Sequence, residues 1–86
     1  MLYIGIQKVS LLDDYRLKLK FDNGEERIFD LKPYLEIGKI SELKDKDLFR
    51  QVRISFDTIE WPNGVDLDPE FLYKNSKAVC KIKKAA

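Results

Sequence analysis

The sequence feature that most constrains the fold is an alternation of apolar and basic residues that leads into an Asn-Gly pair. The chain over positions 15–21 reads Tyr15-Arg16-Leu17-Lys18-Leu19-Lys20-Phe21. Because the side chains of a strand point alternately to opposite faces, this pattern predicts a half-buried antiparallel strand. Asn23-Gly24 follows, and such a pair favours a hairpin because a type I′ turn needs positive φ at both central residues. The sequence therefore predicts a β-hairpin that returns into a third strand.

The length of the hairpin loop decides which residues of the third strand share a face with the second. A two-residue loop places Leu19 opposite Ile28, puts Ile28 on the core face and sets Lys20 opposite Arg27. A three-residue loop instead sets Lys20 opposite Glu26, which avoids a pair of like charges across the strands. Both registers stay open at this point.

Short helical segments are expected after the third strand. Pro33 lacks a backbone donor and suits the first turn of a short helix or 3₁₀ turn that ends at Gly38. Ser41 is a candidate cap for one short helix or two helical turns over residues 41–51. Asp68 is the predicted cap of a further helix, whose first position is a proline.

Three more strands complete the predicted sheet. The first covers residues 4–12, and its apolar phase shifts between Ile6 and Val9, which suggests a β-bulge. A fourth strand is predicted from the alternation of apolar residues at positions 52, 54 and 56. A fifth covers residues 58–61, after a tight turn at Asp57.

These elements predict an α+β fold, with one antiparallel sheet of about five short strands and two or three short helices. The chain has 86 residues, which is the size of a single domain. We assign residues 1–76 to that domain. Residues 77–86, rich in lysine, are predicted to be a basic C-terminal tail or an edge strand.

Composition excludes several classes of site. The chain has no histidine, so Ser-His-Asp and Cys-His catalytic arrangements and histidine-based zinc sites are excluded. The single Cys80 cannot form an internal disulfide and fits a reducing cytoplasm. The 16 basic and 15 acidic residues are interspersed, which argues against the clustered basic face that nucleic-acid binding needs. We expect a cytoplasmic protein that does not span a membrane.

The most constrained residue types lie between positions 60 and 70, in Glu60-Trp61-Pro62-Asn63-Gly64-Val65-Asp66-Leu67-Asp68-Pro69-Glu70. Its alternate carboxylates could offer oxygen ligands to a hard cation. The match to a calcium loop fails, however, because Phe71 stands where the loop needs glycine. Capping and turn roles explain the same carboxylates, so we predict no metal, no cofactor and no catalytic residue.

A candidate interaction surface is predicted beside this stretch. Trp61 is read either as a core residue that closes the end of the sheet or as an exposed anchor for a partner, since tryptophan is enriched at interface hot spots. The ring edge is expected to reach solvent because a turn follows it. The full candidate surface comprises Trp61, Asn63, Asp66, Tyr73 and Tyr34.

Several stretches together resemble a family of small bacterial proteins catalogued as a domain of unknown function. They are Phe21-Asp22-Asn23-Gly24-Glu25, Phe29-Asp30-Leu31, Leu43, Phe49 and the run from Glu60 to Tyr73, with its Trp-Pro-Asn-Gly-x-Asp-Leu-x-Pro-Glu motif. The resemblance implies a compact α+β domain with an antiparallel sheet, found alone or ahead of a helix-turn-helix domain. It also implies an antitoxin-like role, since some members neighbour small toxin-like proteins. The family has no established catalytic residue to carry over.

Three hypotheses for function follow. The leading one is a non-enzymatic protein-interaction module, antitoxin-like or accessory, that binds a protein partner such as a small toxin-like protein or self-associates through a sheet edge. The second is a regulatory nucleic-acid-associated accessory protein, although nucleic acid is the less favoured partner. It would use a lysine cluster made of Lys74, Lys77, Lys81, Lys83 and Lys84. The third is a small metal-dependent enzyme that uses Glu60, Asp66 and Asp68.

Overall fold

The computed structural model describes residues 4–79 of the chain. Within that range seven strands form two antiparallel sheets, connected by two 3₁₀ helices and two short α-helices. The elements in chain order are β1 (Ile6–Leu11), β2 (Arg16–Phe21), β3 (Glu26–Asp30), a first 3₁₀ helix (Lys32–Tyr34), a second 3₁₀ helix (Gly38–Lys44), α1 (Lys46–Phe49), β4 (Arg53–Ser55), β5 (Thr58–Glu60), β6 (Asp66–Leu67), α2 (Pro69–Lys74) and β7 (Lys77–Ala78).

The predicted α+β class is confirmed, but the prediction of one sheet of about five strands is wrong. One sheet has four strands in the order β1-β2-β3-β7, and the other has three in the order β4-β5-β6. Between the two, the described backbone makes a single hydrogen bond, from Ile6 N to Asp57 O at 2.8 Å. A single hydrogen bond does not make a ladder of paired strands, so the strands form two sheets that separate at this point.

The alternation that predicted β2 is confirmed by its burial. Leu17, Leu19 and Phe21 are fully buried, whereas the basic residues between them lie on the outer face. The predicted bulge in β1 is also present, as a shift in register between Ile6 and Lys8.

The register of the hairpin follows the three-residue loop, with Lys20 opposite Glu26 and Leu17 opposite Phe29. The two-residue loop would have placed Ile28 on the core face, and this expectation is wrong. Ile28 pairs with Lys18 and is only half-buried, whereas Phe29 is fully buried. The slip of one residue exchanges the two faces of β3.

Both Asn-Gly pairs of the chain close the same kind of three-residue loop. The N–H of Gly24 donates to Phe21 O at 2.9 Å, and the N–H of Gly64 donates to Trp61 O at 3.0 Å. Each asparagine side-chain oxygen accepts from the amide two residues later, at 3.0 Å for Asn23 and 3.2 Å for Asn63. Both glycines have positive φ, as the last residue of such a loop requires. The asparagine bond selects this loop over the two-residue type I′ turn.

The helical segments are shorter than predicted, and one cap was assigned to the wrong residue. Ser41 donates its hydroxyl to Gly38 O at 2.7 Å inside the second 3₁₀ helix. The cap of α1 is Asp45, whose carboxylate accepts from the amide of Asp47 at 3.0 Å. The predicted cap of α2 is confirmed, since Asp68 accepts from two amides of the first turn, at 3.2 and 3.3 Å.

The predicted fourth strand is present but much shorter than its apolar alternation suggested. Strand β4 covers only Arg53–Ser55, and Phe56 belongs to the turn that follows. Ile54 is 39% exposed and Phe56 is 97% exposed. The alternation therefore does not mark a core face.

Near the C-terminus, residues 77 and 78 form β7, antiparallel to β3. Cys80 and the rest of the predicted tail, residues 80–86, lie outside the described residues.

The core lies between the two sheets and the helical segments. Its buried apolar residues are Ile6, Leu17, Leu19, Phe21, Phe29, Leu31, Leu35, Leu43, Phe49, Ile59, Trp61, Val65 and Leu72.

Gly5 provides a test of how closely the start of β1 packs against the turns beside it. A Cβ at this position would lie 2.7 Å from Asp22 Oδ2 and 2.9 Å from Asp57 Cβ. We predict that Gly5→Ala lowers the free energy of unfolding by about 1–3 kcal/mol, because overpacked side chains force the neighbours apart. Ser10→Ala, on the exposed face of β1, should change it by no more than about 0.5 kcal/mol. Urea denaturation measures both, and equal stabilities of the two variants would contradict the prediction.

Candidate interaction surface

The turn between β4 and β5 has positive φ at two consecutive non-glycine residues, as does the turn between β1 and β2 at Asp14 (+65°) and Tyr15 (+62°). Ser55 pairs with Thr58, so Phe56 and Asp57 form a two-residue loop, and their φ angles are +50° and +70°. Positive φ at both positions is the geometry of a type I′ turn, which glycine, asparagine and aspartate adopt most readily. Asp57 fits this preference. A bulky residue such as Phe56 adopts a positive φ only at a cost in energy.

Phe56 is also the most exposed large apolar residue among those described, at 97% exposure. The same hairpin carries a second exposed apolar residue, Ile54, which pairs with Ile59 across the strands. A phenyl ring that stays in water contributes no burial energy to folding, and the strained backbone lowers the stability of the fold further. Folding stability therefore does not explain Phe56, and strained conformations of this kind concentrate at functional sites.

The hairpin that carries Phe56 is fixed from several sides. The carbonyl of Asp57 accepts from the amide of Ile6. At the base, Arg53 Nη2 donates to Glu60 Oε2 at 2.7 Å, and next to the tip the hydroxyl of Thr58 donates to the carbonyl of Leu67. These contacts connect the hairpin that carries Phe56 to β1 and to β6.

Sequence reasoning missed Phe56 because positions 52, 54 and 56 alternate as a strand with one apolar face would. The signal that could have found it is the pair Phe56-Asp57. The turn at Asp57 was predicted, and a two-residue turn must also include one neighbour of that aspartate.

Trp61 lies in the core and not on the surface. It is 1% exposed, its ring stacks on Phe49 with centroids 6.3 Å apart, and its Nε1–H donates to Phe49 O at 2.9 Å. The expected exposure of the ring edge is wrong, because the polar edge of the indole is the part that bonds to the buried backbone. Trp61 is therefore not available to a partner in the folded chain.

Asn63 lies within the turn that follows Trp61, and Asp66 begins strand β6 after that turn. Asn63 donates its Nδ2 to Glu42 Oε1 at 2.8 Å, and its carbonyl accepts from Lys39 Nζ at 2.5 Å. These bonds connect the turn to the second 3₁₀ helix, which gives Asn63 a structural role. Asp66 is exposed and lies opposite Glu60 in the β5–β6 pairing.

The two tyrosines of the candidate surface belong to separate aromatic clusters. The Tyr34 ring stacks on Phe29 at 5.6 Å and meets Phe71 edge-on at 5.5 Å. The Tyr73 ring meets Phe21 edge-on at 5.2 Å. The aromatic rings predicted to form one surface are thus distributed over different parts of the core boundary.

A small charged network surrounds Tyr73. The tyrosine hydroxyl donates to Glu25 Oε2 at 2.6 Å, Arg27 Nη1 donates to Glu25 Oε1 at 2.9 Å, and the guanidinium lies 4.3 Å from the centre of the Tyr73 ring. The Tyr73 hydroxyl, followed by Arg27, lowers the pKa of Glu25 from its ordinary value. The Glu25 carboxylate and partial burial raise the pKa of Tyr73. The network joins α2 to the first sheet.

The carboxylates considered for metal chemistry have other roles. Glu60 is paired with Arg53, which lowers the pKa of Glu60 and keeps it ionised, with a further contribution from Ser55. The carboxylate of Asp68 caps α2. Over residues 4–79, no three cysteine or carboxylate side chains are arranged to hold a metal ion.

The lysine cluster is only partly within the described residues. Lys74 and Lys77 are exposed, and Lys74 pairs with Glu70 at 3.5 Å. Lys81, Lys83 and Lys84 lie outside the described range. No helix between residues 4 and 79 is long and apolar enough to cross a membrane.

Comparison with known proteins identifies one related family. A family model described as "Protein of unknown function (DUF2442)" matches residues 6–78. No curated protein and no solved structure matches the chain. The match confirms the resemblance to a family of unknown function, whereas the specificity of the Trp-Pro-Asn-Gly motif and the link to helix-turn-helix domains stay predictions.

The Tyr73 network yields a prediction about pH. We expect Tyr73→Phe to raise the pKa of Glu25 towards its ordinary value, since the tyrosine hydroxyl is the largest cause of the depression. A carboxyl group whose pKa is lowered in the folded state stabilises the fold above its unfolded pKa, and this stabilisation is lost as the pH falls through the folded pKa. Tyr73→Phe has less of this stabilisation and should therefore lose less stability on acidification. A ¹³C NMR titration of the Glu25 carboxyl measures the change. Tyr34→Phe is the matched control, and an equal effect of the two variants would refute the assignment.

Proposed function

The chain belongs to the family described as Protein of unknown function (DUF2442), and we propose that it is a non-enzymatic protein-interaction module whose main contact is the tip of the β4–β5 hairpin. The observation that supports this most directly is Phe56, which is 97% exposed and held at φ +50°. The hairpin tip is defined here as Ile54, Phe56 and Asp57.

The energetics of the hairpin tip favour a contact with another protein. Full burial of a phenylalanine side chain contributes about 1.5–3 kcal/mol, which corresponds to about ten- to a hundredfold in affinity. Aromatic anchors that fill a pocket at the centre of an interface commonly supply most of its energy. The hydrogen bonds that connect the hairpin to β1 and β6 reduce the entropy that is lost when Phe56 binds.

The class of partner that we propose is a small toxin-like protein, which would give the chain an antitoxin-like or accessory role. The family resemblance supports this class, and the apolar hairpin tip is compatible with it. A partner of this kind would offer an apolar pocket to Phe56. The location of the complex is proposed to be the cytoplasm.

Substitution of Phe56 separates function from stability. We predict that Phe56→Asn raises the free energy of unfolding by about 1 kcal/mol, because asparagine tolerates the left-handed backbone far better than a bulky residue does. The same substitution should abolish binding to the partner. Thermal or urea denaturation measures stability, and quantitative affinity capture from cells of the source organism measures binding.

The matched control is Ile37→Asn, which removes another exposed apolar side chain, 55% exposed, from a different segment. It should leave capture of the partner intact. Undiminished capture of the same protein by Phe56→Asn, or equal loss in both variants, would contradict the proposal.

A further inference from the structure

Strand β1 is one edge of the four-stranded sheet, and half of that edge is open. Leu12 N donates to Arg16 O at 2.9 Å, which sets the phase of the ladder. Ser10 lies two residues earlier, opposite Lys18, so its backbone N–H and C=O bond to β2. The N–H and C=O groups of Val9 and Leu11 therefore point away from the sheet. From residue 4 to residue 79, no backbone group pairs with Val9 or Leu11 on that side.

The open half of the edge lacks the usual protection against strand pairing. Natural edges are protected by charged side chains, prolines, bulges or very short strands. The bulge and the charge of β1 both lie in its first half, at Ile6 and Lys8. Val9-Ser10-Leu11 carries neither charge nor proline. By contrast, the strand at the opposite edge of the same sheet, β7, has only two residues, one of which is a lysine.

The inner side of this open edge is apolar. Val9 and Leu11 lie opposite the buried Leu19 and Leu17, and Leu11 remains 41% exposed. Next to it is a cavity of about 270 Å³, which is lined by Leu11, Leu12, Tyr15 and Phe49 and by the charged residues Asp13, Asp14, Lys46 and Arg50. An added strand would place every second side chain against Leu11 and this cavity.

The outer side of the same edge is basic. On the outer face of the sheet, Lys8 lies on β1 itself, Arg16, Lys18 and Lys20 lie on the neighbouring β2, and Lys77 lies on β7 at the opposite edge. Among the paired strand residues that the structure describes, two acidic residues, Glu26 and Asp30, share that face, and Glu26 is 3.6 Å from Lys18. The remaining side chains of an added strand would lie beside this basic face, where opposite charges across strands are favourable.

We infer that the β1 edge from Val9 to Leu11 receives an extended segment of a protein partner in which apolar side chains alternate with acidic ones. The inference rests on the proposed function and specifies how the partner binds: backbone hydrogen bonds add a strand to β1, while the hairpin tip contacts the body of the partner.

A peptide strand fits this edge better than a nucleic acid does. The unpaired groups are alternating backbone donors and acceptors, which a second peptide backbone complements directly. On the described part of the outer face there is no aromatic side chain on which bases could stack.

The experiment uses a short acetylated peptide with alternating valine and glutamate, titrated into the ¹⁵N-labelled full chain. We expect chemical-shift changes and slowed hydrogen exchange at the amides of Val9 and Leu11. A peptide with lysine in place of glutamate should bind about tenfold more weakly, because it faces like charges. Shifts confined to other segments, or equal affinity for both peptides, would overturn the inference. Salt-dependent binding of single-stranded DNA at these amides, without binding of the glutamate peptide, would also overturn it.

Two variants test the edge itself. Leu11→Pro removes an outward N–H without breaking a bond to β2 and should weaken binding of the glutamate peptide about tenfold; Val9→Pro is the second variant if the first does not fold. Lys8→Glu should reduce the preference for the glutamate peptide, because it replaces the basic residue on β1 itself while those on β2 remain. A concentration-dependent dimer of the free chain that Leu11→Pro dissociates would assign the edge to a second copy and overturn the inference.

The experiments can refute the role of the hairpin tip and the strand addition at β1 independently of each other. Phe56→Asn should leave binding of the peptide unchanged, since the peptide lacks the body of the partner. If peptide binding fails while Phe56→Asn still abolishes capture, only the strand addition is wrong. If the peptide binds and Phe56→Asn has no effect on capture, only the role of the hairpin tip is wrong.

Discussion

The rest of the structure depends on one buried contact, in which Trp61 stacks on Phe49 and donates its indole N–H to the carbonyl of the same residue. Phe49 is the last residue of α1 and Trp61 directly follows β5, so this pair joins the helical segment to the second sheet. A buried indole N–H without a partner would cost about 1–3 kcal/mol, and the carbonyl at the end of α1 supplies that partner. The base of the β4–β5 hairpin is thereby held against the core while its tip stays in water.

This arrangement separates the residue that stabilises the fold from the residue that we propose contacts a partner. Trp61 is the most conspicuous residue of the sequence, and its burial, ring stacking and hydrogen bond give it a complete structural explanation. Phe56 has the opposite properties, since neither its exposure nor its backbone conformation contributes to stability. Proteins tolerate such local costs where function requires them. The hairpin tip contacts the start of β1, because the N–H of Ile6 donates to Asp57 O.

The parts of the fold that could be predicted from sequence are those that local interactions determine. The buried face of β2, the bulge in β1, the positions of both Asn-Gly turns and the cap at Asp68 each depend on a few neighbouring residues. The register of β3 was not decided, because it depends on whether the Asn23 side chain bonds to the backbone within the loop. The division into two sheets and the exposure of Phe56 depend on how distant segments pack, and the alternation at positions 52–56 contains no information about that. Of the predicted surface, Trp61 lies at the buried base of the β4–β5 hairpin, and Tyr34 and Tyr73 lie in separate aromatic clusters.

The central claim, that Phe56 is the contact residue of the chain, can be tested by installing a photocrosslinking amino acid at position 56 in cells of the source organism. Irradiation should yield one discrete protein adduct from position 56 and none from position 37, the exposed apolar position on a different segment. The adduct should also map to an apolar pocket of the partner. Absence of any adduct at position 56, or the same set of adducts from both positions, would contradict the claim.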